Sequence, residues 1–414
     1  MQERLLLTEE EPMNERKKGI YLITLCCLTY GAAYMCRVNL SCTVDKMAAG
    51  MGRDVSAISL LGSIQAIAYA TGQFLNGKLI NRWKPGRILL FAALGSGLCN
   101  LAMGLVTSYA ASLIFWAMNA YIQSFLWGAI VRIVATYPFS RNSTSIMALD
   151  LSMSAAYVIT WSLIAALLSG TVNWHGHFLI PGVVLLLTVP LWLTVKKLCP
   201  ETELLQQNMV QRSYGQIFRY IWQEKVTLYC VASVLLGALR EGILFWTPLI
   251  LTQLLSGDAV SPYLVVAIIP MVKMCGPVLL RRAVKRGGKY SGIMAAAFAA
   301  TAALALILAL VTARSTLLTV ILLTAMTLSS CLIGPIISSY IPLCYTEDHM
   351  SAPVSGILDA MVYLGGSVST YLLGHLVGDG ILTGAAWYWM VVALLGTTAS
   401  TVALRLVKPP HKDE

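Results

Sequence analysis

The stretch YSGIMAAAFAATAALALILALVT, residues 290–312, runs for the length of a membrane-spanning helix without one charged side chain. Such a helix needs about 20 mostly apolar residues. The whole chain of 414 residues has the same character, since 57% of it is hydrophobic, 12% is charged and the mean hydropathy is +0.72. A soluble protein carries about twice that charged fraction. The composition therefore predicts a polytopic membrane protein and excludes a cytosolic enzyme, a nucleic-acid-binding protein and a secreted disulfide module.

Twelve segments of this kind are predicted as transmembrane helices. None alternates polar and apolar residues as a membrane strand does, so an all-α fold is predicted. The segments cover approximately residues 19–44, 55–77, 87–107, 109–136, 143–171, 176–195, 226–254, 260–280, 290–312, 316–343, 351–377 and 384–405.

The distribution of basic residues predicts the orientation of these helices. Most of the 29 lysines and arginines lie in the terminal segments and in every second loop, whereas the alternate loops hold Lys46, Arg53 and Arg314. Cytoplasmic loops are the basic ones in membrane proteins. We therefore expect both termini in the cytoplasm, in a multi-pass protein of the cell (inner) membrane. This pattern also accounts for the net charge of +10 without nucleic acid.

Twelve helices with a polar stretch in the middle predict two halves. We expect an N-terminal six-helix bundle over 1–198, a cytoplasmic linker over 199–223 and a C-terminal six-helix bundle over 224–414, as in transporters built from two parallel repeats. Within the linker, YGQIFRYIW (214–222) places aromatic and basic residues as an interfacial helix does. A plain connecting segment fits this stretch equally well.

Ionisable residues inside the apolar segments are the candidates for function, because each costs several kcal/mol in a bilayer unless it faces a partner or a wet cavity. They are Arg37, Arg132, Asp150, Arg240, Glu241, Lys273 and Asp359. No metal-ligand motif and no nucleophile–base pair stands out, so neither a metal, a cofactor nor an enzyme is predicted.

The first segment carries an arginine on an aromatic stripe. Tyr30, Tyr34 and Arg37 are spaced four and three residues apart, so they share one helix face suited to an oxyanion. Arg240 lies at a matching place in the other half, and two facing guanidiniums are stabilised by a dianion between them. The forked guanidinium suits phosphate or carboxylate. An arginine in a structural salt bridge, with tyrosines packed around it, is the alternative.

Several motifs together resemble the organophosphate:phosphate antiporter family of the major facilitator superfamily. They are YMCRVNL (34–40), AYATGQFLNG (68–77), NRWKPGR (81–87), QSFLWGAIVR (123–132), REGILFWTP (240–248) and YLGGSV (363–368). The resemblance extends over nearly the whole chain. It implies a major-facilitator fold and exchange of a small phosphorylated organic anion for inorganic phosphate by a carrier in the lipid bilayer, which we expect to be a monomer.

The resemblance also implies roles for individual residues. The two phosphate-binding arginines of the family fall on Arg37 and Arg240. Site-lining residues fall on Tyr30, Tyr34, Tyr69, Gln123 and Trp127, and Tyr363 lies in a motif close to the family pattern. Four positions depart from the expected pattern: Gln73 replaces a lysine, Ser154 a histidine and Gly237 a tyrosine, and Asn81 replaces the loop aspartate of the superfamily motif. These departures affect the identity of the substrate more than the anion chemistry.

The remaining intramembrane charges leave several interpretations open. Asp150 and Asp359 are counter-ions of the arginines, contacts for a cationic or hydroxylated part of the substrate, proton-coupling groups or members of structural ion pairs. Lys273 substitutes, by hypothesis, for the missing lysine. Two other functions compete with exchange, namely a proton-coupled transporter of another organic anion or zwitterion that uses the two aspartates, and a membrane sensor of a phosphate ester.

Overall fold

The computed structural model describes residues 15–136, 143–168, 173–198, 213–254, 269, 271–311, 315–345, 348, 350–376 and 381–407. Within these ranges the regular structure is helical, which confirms the predicted all-α membrane fold. The helices are α1 (Glu15–Val38), α2 (Val44–Met51), α3 (Val55–Arg82), α4 (Pro85–Leu105), α5 (Tyr109–Thr136), α6 (Ser143–Leu168), α7 (Gly176–Leu186), α8 (Val189–Leu198), α9 (Tyr214–Gln223), α10 (Thr227–Leu254), α11 (Gly276–Lys285), α12 (Tyr290–Val311), α13 (Thr316–Pro335), α14 (Ile341–Leu343), α15 (Ser351–His375) and α16 (Ile381–Leu406).

Ten helical spans in the described part of the chain are long and apolar enough to cross a membrane, and they match ten of the twelve predicted segments. The fifth predicted segment forms α6, whose described apolar portion is the shorter stretch Leu151–Leu163. In the eighth predicted segment, 260–280, residues 260–268 and 270 lie outside the described residues. The count of twelve spans therefore stays a prediction at these two places.

The helices of each half of the chain pack mainly on one another. In the first half, α1 packs on α6 and α7, and α5 packs on α3 and α4. In the second half, α10 packs on α15 and α16, and α12 packs on α13 and α16. Extensive contact between the halves is made by α3 with α15. The division at 199–223 stays a prediction, and residues 199–212 of that segment lie outside the described ranges.

The crossing of α10 and α15 depends on two glycines. A Cβ atom added to Gly237 would lie 1.7 Å from the carbonyl oxygen of Val362, and one added to Gly365 would lie 1.8 Å from that of Val234. The obstacle in both cases is backbone, which a rotamer change does not move. Small residues allow this approach between membrane helices. The same contact fixes the part of α10 that carries Arg240, one turn beyond Gly237.

Contacts between α3 and α15 join the two halves along the membrane normal. The Ser63 hydroxyl donates to the carbonyl oxygen of Ser367 (2.9 Å). Further along the same pair of helices, the ring centroids of Tyr69 and Tyr363 lie 4.3 Å apart. The Ser63–Ser367 contact lies toward the face of the molecule that is distant from the chain termini. The Tyr69–Tyr363 contact lies nearer the middle of the two helices.

The described end of the linker forms the helix α9, which contacts both halves. The Tyr214 ring stacks on Phe74 of α3 with centroids 4.9 Å apart. The Tyr220 hydroxyl donates to the carboxylate of Asp348, beyond α14. Burial and this carboxylate raise the pKa of Tyr220, so the phenol keeps its proton and remains a donor. Tyr214 and Tyr220 of α9 therefore contact the first and the second half, respectively.

The glycine contact predicts a specific effect of Gly237→Ala. The added methyl group forces α10 and α15 apart, and overpacking of this kind costs about 1–3 kcal/mol. We expect a clearly lower unfolding midpoint in detergent. Gly292→Ala is the matched control, because its Cβ would meet nothing closer than a Leu404 methyl carbon at 3.9 Å. Equal stability of the Gly237→Ala variant and the parent protein would show that the helices do not cross so closely.

Candidate functional site

Arg37, near the end of α1, is held by side chains from three other helices. Its Nε donates to the amide oxygen of Gln123 (3.0 Å), and its Nη1 donates to the hydroxyl of Tyr363 (3.1 Å). The guanidinium carbon lies 4.2 Å from the ring centroid of Tyr69 and 4.6 Å from that of Tyr34. Two hydrogen bonds and two aromatic faces thus replace water around a cation inside the membrane.

Gln123 is fixed in turn by a buried polar network within the first half. Its amide donates to the Ser96 hydroxyl (2.9 Å), to the carbonyl of Ala33 (3.0 Å) and to the Asn119 oxygen (3.2 Å). Asn119 donates back to the carbonyl of Cys36 on α1 (2.9 Å). Because its amide is engaged, the Gln123 oxygen points at Arg37. The sequence signal that reveals this network is the four-residue spacing of polar groups in apolar helices, here Asn119 and Gln123.

Arg240, in the middle of α10, pairs with its own neighbour. One carboxylate oxygen of Glu241 accepts from Nε and from Nη2 of Arg240, both at 2.8 Å. The two side chains keep 23% and 27% of their surface exposed. The Arg240 guanidinium carbon lies 6.0 Å from the ring centroid of Tyr363, and that of Arg37 lies 5.9 Å from the same centroid. One tyrosine ring therefore stands near both arginines.

A cavity lies between the two halves beside this ring. Its lining includes Arg37 and Tyr69 from the first half, Glu241 and Tyr363 from the second, and Tyr157 of α6. The volume of this cavity is about 60 Å³. Since one water needs about 10–15 Å³ by this measure, the cavity has room for a few waters or a small anion.

The other aromatic residues predicted for the site form a continuous cluster next to Arg37. The Tyr30 ring centroid lies 4.9 Å from that of Tyr34 and 5.6 Å from that of Trp127. Gln73, which stands where the family has a lysine, donates to the Tyr69 hydroxyl (3.1 Å). The predicted residues of the first half thus lie together around one arginine.

The structure places the remaining charged candidates differently. The Lys273 ammonium lies 4.8 Å from the ring centroid of Tyr157, so it stands behind one wall of the cavity. Asp359 is half-buried within electrostatic reach of both arginines, and it forms no ion pair with any described residue. Asp150 lies on α6, but its side chain is outside the described part. Arg132 donates to the carbonyl of Trp83, away from the cavity.

Sequence reasoning missed Glu241 as the partner of Arg240. Consecutive residues of a helix do not face each other, which argues against such a pair. The long arginine side chain bends back to reach it. Over the described residues, no group of three His, Cys, Asp or Glu side chains is placed to bind a metal ion.

The fold and this site define a helical membrane protein with its candidate site between two halves of the chain. The profile of the Major Facilitator Superfamily matches residues 26–370, and the chain belongs to that family. It is therefore a multi-pass membrane transporter and not an enzyme.

Solved transporters share the fold: a point mutant of the nucleoside transporter NupG has a TM-score of 0.73 at 15% identity, covering 94% of this chain and 100% of that one. The xylose transporter XylE from E. coli, partially occluded and inward open, has a TM-score of 0.68 at 13% identity, covering 96% and 99%.

Curated relatives confirm the resemblance to the organophosphate antiporters. A probable hexose phosphate transport protein of Chlamydia trachomatis serovar D is 22% identical over 160 residues, which are 38% of this chain and 34% of the relative. The membrane sensor protein UhpC of Escherichia coli K12 is 27% identical over 104 residues, 25% of this chain and 23% of the relative. The matched part thus spans about a third or less of these relatives.

The polar network predicts a loss of anion affinity in Gln123→Ala. Arg37 then lacks the acceptor that orients it, and a hydrogen bond to a charged group contributes about 1.5–3 kcal/mol. We expect the affinity for sulfate, measured by titration calorimetry in detergent, to fall about tenfold or more. Asn76→Ala is the control, because Asn76 is equally buried but is hydrogen-bonded to Ser124 and Tyr121 instead of Arg37. Unchanged sulfate binding by Gln123→Ala would refute the orienting role.

Proposed function

We propose that the protein is a secondary active transporter of a phosphorylated small organic molecule, which it exchanges for inorganic phosphate by alternating access. The main support is that Arg37 and Arg240, one from each half, have guanidinium carbons 5.9 and 6.0 Å from the centroid of the same Tyr363 ring. Arg37, Tyr363 and Glu241, the partner of Arg240, line the cavity between the halves. The names of the curated relatives, which include hexose phosphate transport proteins, favour the same substrate class. The expectation of exchange for inorganic phosphate comes from the sequence motifs that resemble the antiporter family.

A doubly charged phosphate suits this pair of arginines. Each guanidinium offers parallel donors that match two oxygens of a phosphate. The tyrosine rings around Arg37 exclude water, and charge-assisted hydrogen bonds are stronger in such surroundings. A carboxylate has two oxygens and fills the fork of one arginine, whereas a phosphate has enough oxygens to reach both.

The position of the site between the halves couples binding to movement. An anion held by Arg37 of α1 and Arg240 of α10 draws the two halves together. The cavity admits little more than the phosphate group, so the organic part of a substrate requires the halves to separate on one side. A ligand shifts the equilibrium between the closed and the separated arrangement of the halves only if it binds one of them more tightly than the other.

Access from the face distant from the termini requires other contacts to break. The hydrogen bond from Ser63 to Ser367 joins α3 and α15 on that side. A Cβ added to Gly374 of α15 would lie 2.1 Å from the Ser59 hydroxyl oxygen of α3, which indicates how closely the helices approach. We propose that this is the external face, with both termini in the cytoplasm and the protein a monomer in the cell membrane.

Two other functions are distinguishable from exchange. A sensor of a phosphate ester is favoured by the match to UhpC, and it would bind without transport. A proton-coupled transporter would use Asp359, which stands near both arginines without an ion-pair partner among the described residues. In that case uptake follows a pH gradient.

Counterflow in proteoliposomes tests the proposed exchange. Vesicles loaded with inorganic phosphate should take up at least one labelled phosphate ester from a panel of sugar, polyol and amino-alcohol phosphates, and empty vesicles should not. Imposing a pH gradient without internal phosphate should give no uptake. Binding of an ester without any phosphate-dependent uptake would instead favour the sensor and contradict exchange.

Lysine substitutions test the arginine pair. Arg37→Lys and Arg240→Lys keep the charge but lose the planar fork, and we expect phosphate exchange to fall by more than about tenfold in each. Arg53→Lys is the control, because Arg53 lies outside the cavity over the Tyr109 ring at 5.4 Å. Near-normal exchange in both site variants would exclude phosphate binding by a pair of guanidinium forks.

A further inference from the structure

The carboxylate of Glu241 occupies the part of Arg240 that would bind a ligand anion. A single oxygen accepts from both Nε and Nη2 at 2.8 Å. These two nitrogens form one of the two guanidinium edges that can hold an anion in the two-pronged manner. Glu241 also lines the cavity. A ligand anion that binds to this edge of Arg240 therefore has to displace the carboxylate.

The stem of Glu241 is packed against α15, which keeps the displaced carboxylate beside the cavity. A Cβ on Gly366 would lie 2.7 Å from Cγ and 2.9 Å from Cβ of Glu241, so α15 presses on the stem of the glutamate. The absence of a side chain at Gly366 is what admits the stem at all. With its stem fixed, only the carboxylate end can swing, and it remains among the groups that line the cavity.

The charges around the cavity leave little room for a further negative charge. Among the described residues, the cationic Arg37 and the anionic Glu241 line the cavity. The cationic Arg240 and Lys273 lie next to the lining residues Glu241 and Tyr157, and the anionic Asp359 is within electrostatic reach of both arginines. A phosphate dianion therefore brings the group to a net negative charge. A buried charge without compensation is costly. A ligand that carries its own cation restores neutrality and supplies the donors that the displaced Glu241 requires.

We propose that Glu241 selects phosphate monoesters that carry an ammonium group. The phosphate takes the place of the Glu241 carboxylate at Arg240, and the released carboxylate pairs with the ammonium group of the same ligand. This inference rests on the proposed function, because it assumes that Arg37 and Arg240 bind the phosphate. Esters in which a hydroxyl replaces the amine offer weaker donors to the carboxylate and leave the negative charge in place.

An isosteric pair of competitors tests this selection. Phosphoethanolamine and 2-hydroxyethyl phosphate differ only in an ammonium and a hydroxyl group, and at about pH 7.5 both phosphates are mainly dianionic. Each is titrated against exchange of labelled phosphate for internal phosphate in proteoliposomes. We expect phosphoethanolamine to inhibit at an at least tenfold lower concentration. In Glu241→Gln the ratio of the two inhibitory concentrations should fall to about one. Phosphate itself should bind more tightly, because the Glu241 carboxylate no longer competes with it for Arg240.

Controls separate failure of this inference from failure of the proposed function. Glu224→Gln removes an exposed carboxylate at the end of α9 and should keep the parental ratio. If Glu241→Gln does not fold, Glu241→Asp keeps a carboxylate and should retain a preference for the amine. Equal inhibition by the two esters in the parent protein, or a ratio that Glu241→Gln leaves unchanged, would overturn the role of Glu241. Absence of phosphate exchange in the parent protein would overturn the proposed function as well.

Discussion

The high free energy of a guanidinium group inside a bilayer is the constraint on which this structure depends. An arginine at the centre of a membrane helix costs about 2.5–3.5 kcal/mol even by insertion scales. The protein meets this cost for Arg37 with hydrogen bonds to Gln123 and Tyr363 and with two tyrosine rings. It meets the cost for Arg240 with a neighbouring carboxylate. The two solutions differ, so the site is asymmetric: one arginine is held by neutral groups, and the other is paired with a carboxylate.

This asymmetry connects the packing of the helices to the chemistry of the site. Gly237 and Gly365 bring α10 and α15 into backbone contact, which places Arg240 and Tyr363 on adjoining turns of two helices. Tyr363 then reaches across to Arg37 in the other half. A single hydroxyl thus links the second half to the arginine of the first. In the proposed mechanism the halves separate, this hydrogen bond is lost, and an incoming anion replaces it at Arg37.

Much of the fold followed from the sequence, because spanning length and apolar composition leave few alternatives to a helix in a membrane. Arg37, Tyr34 and Tyr69 were also predictable, since an arginine among tyrosines is rare in an apolar segment and the family motifs include them. The pair Arg240–Glu241 was not predictable from helical spacing, because adjacent residues diverge around the helix and only the reach of arginine closes the distance. The Gln123–Asn119–Ser96 network requires knowing which faces of α1, α4 and α5 meet. Asp359 and Lys273 were predicted as charges near the site, but their distances from Arg37 depend on how the halves pack.

Joint binding of one anion by Arg37 and Arg240 is the proposal from which the transport mechanism follows. A diffraction measurement with arsenate, a phosphate-like anion that scatters anomalously, tests it most directly. We expect one strong anomalous peak between the two guanidinium groups next to the Tyr363 ring, with the Glu241 carboxylate no longer on Arg240. A peak at another place, or an Arg240 still paired with Glu241 at saturating arsenate, would contradict it.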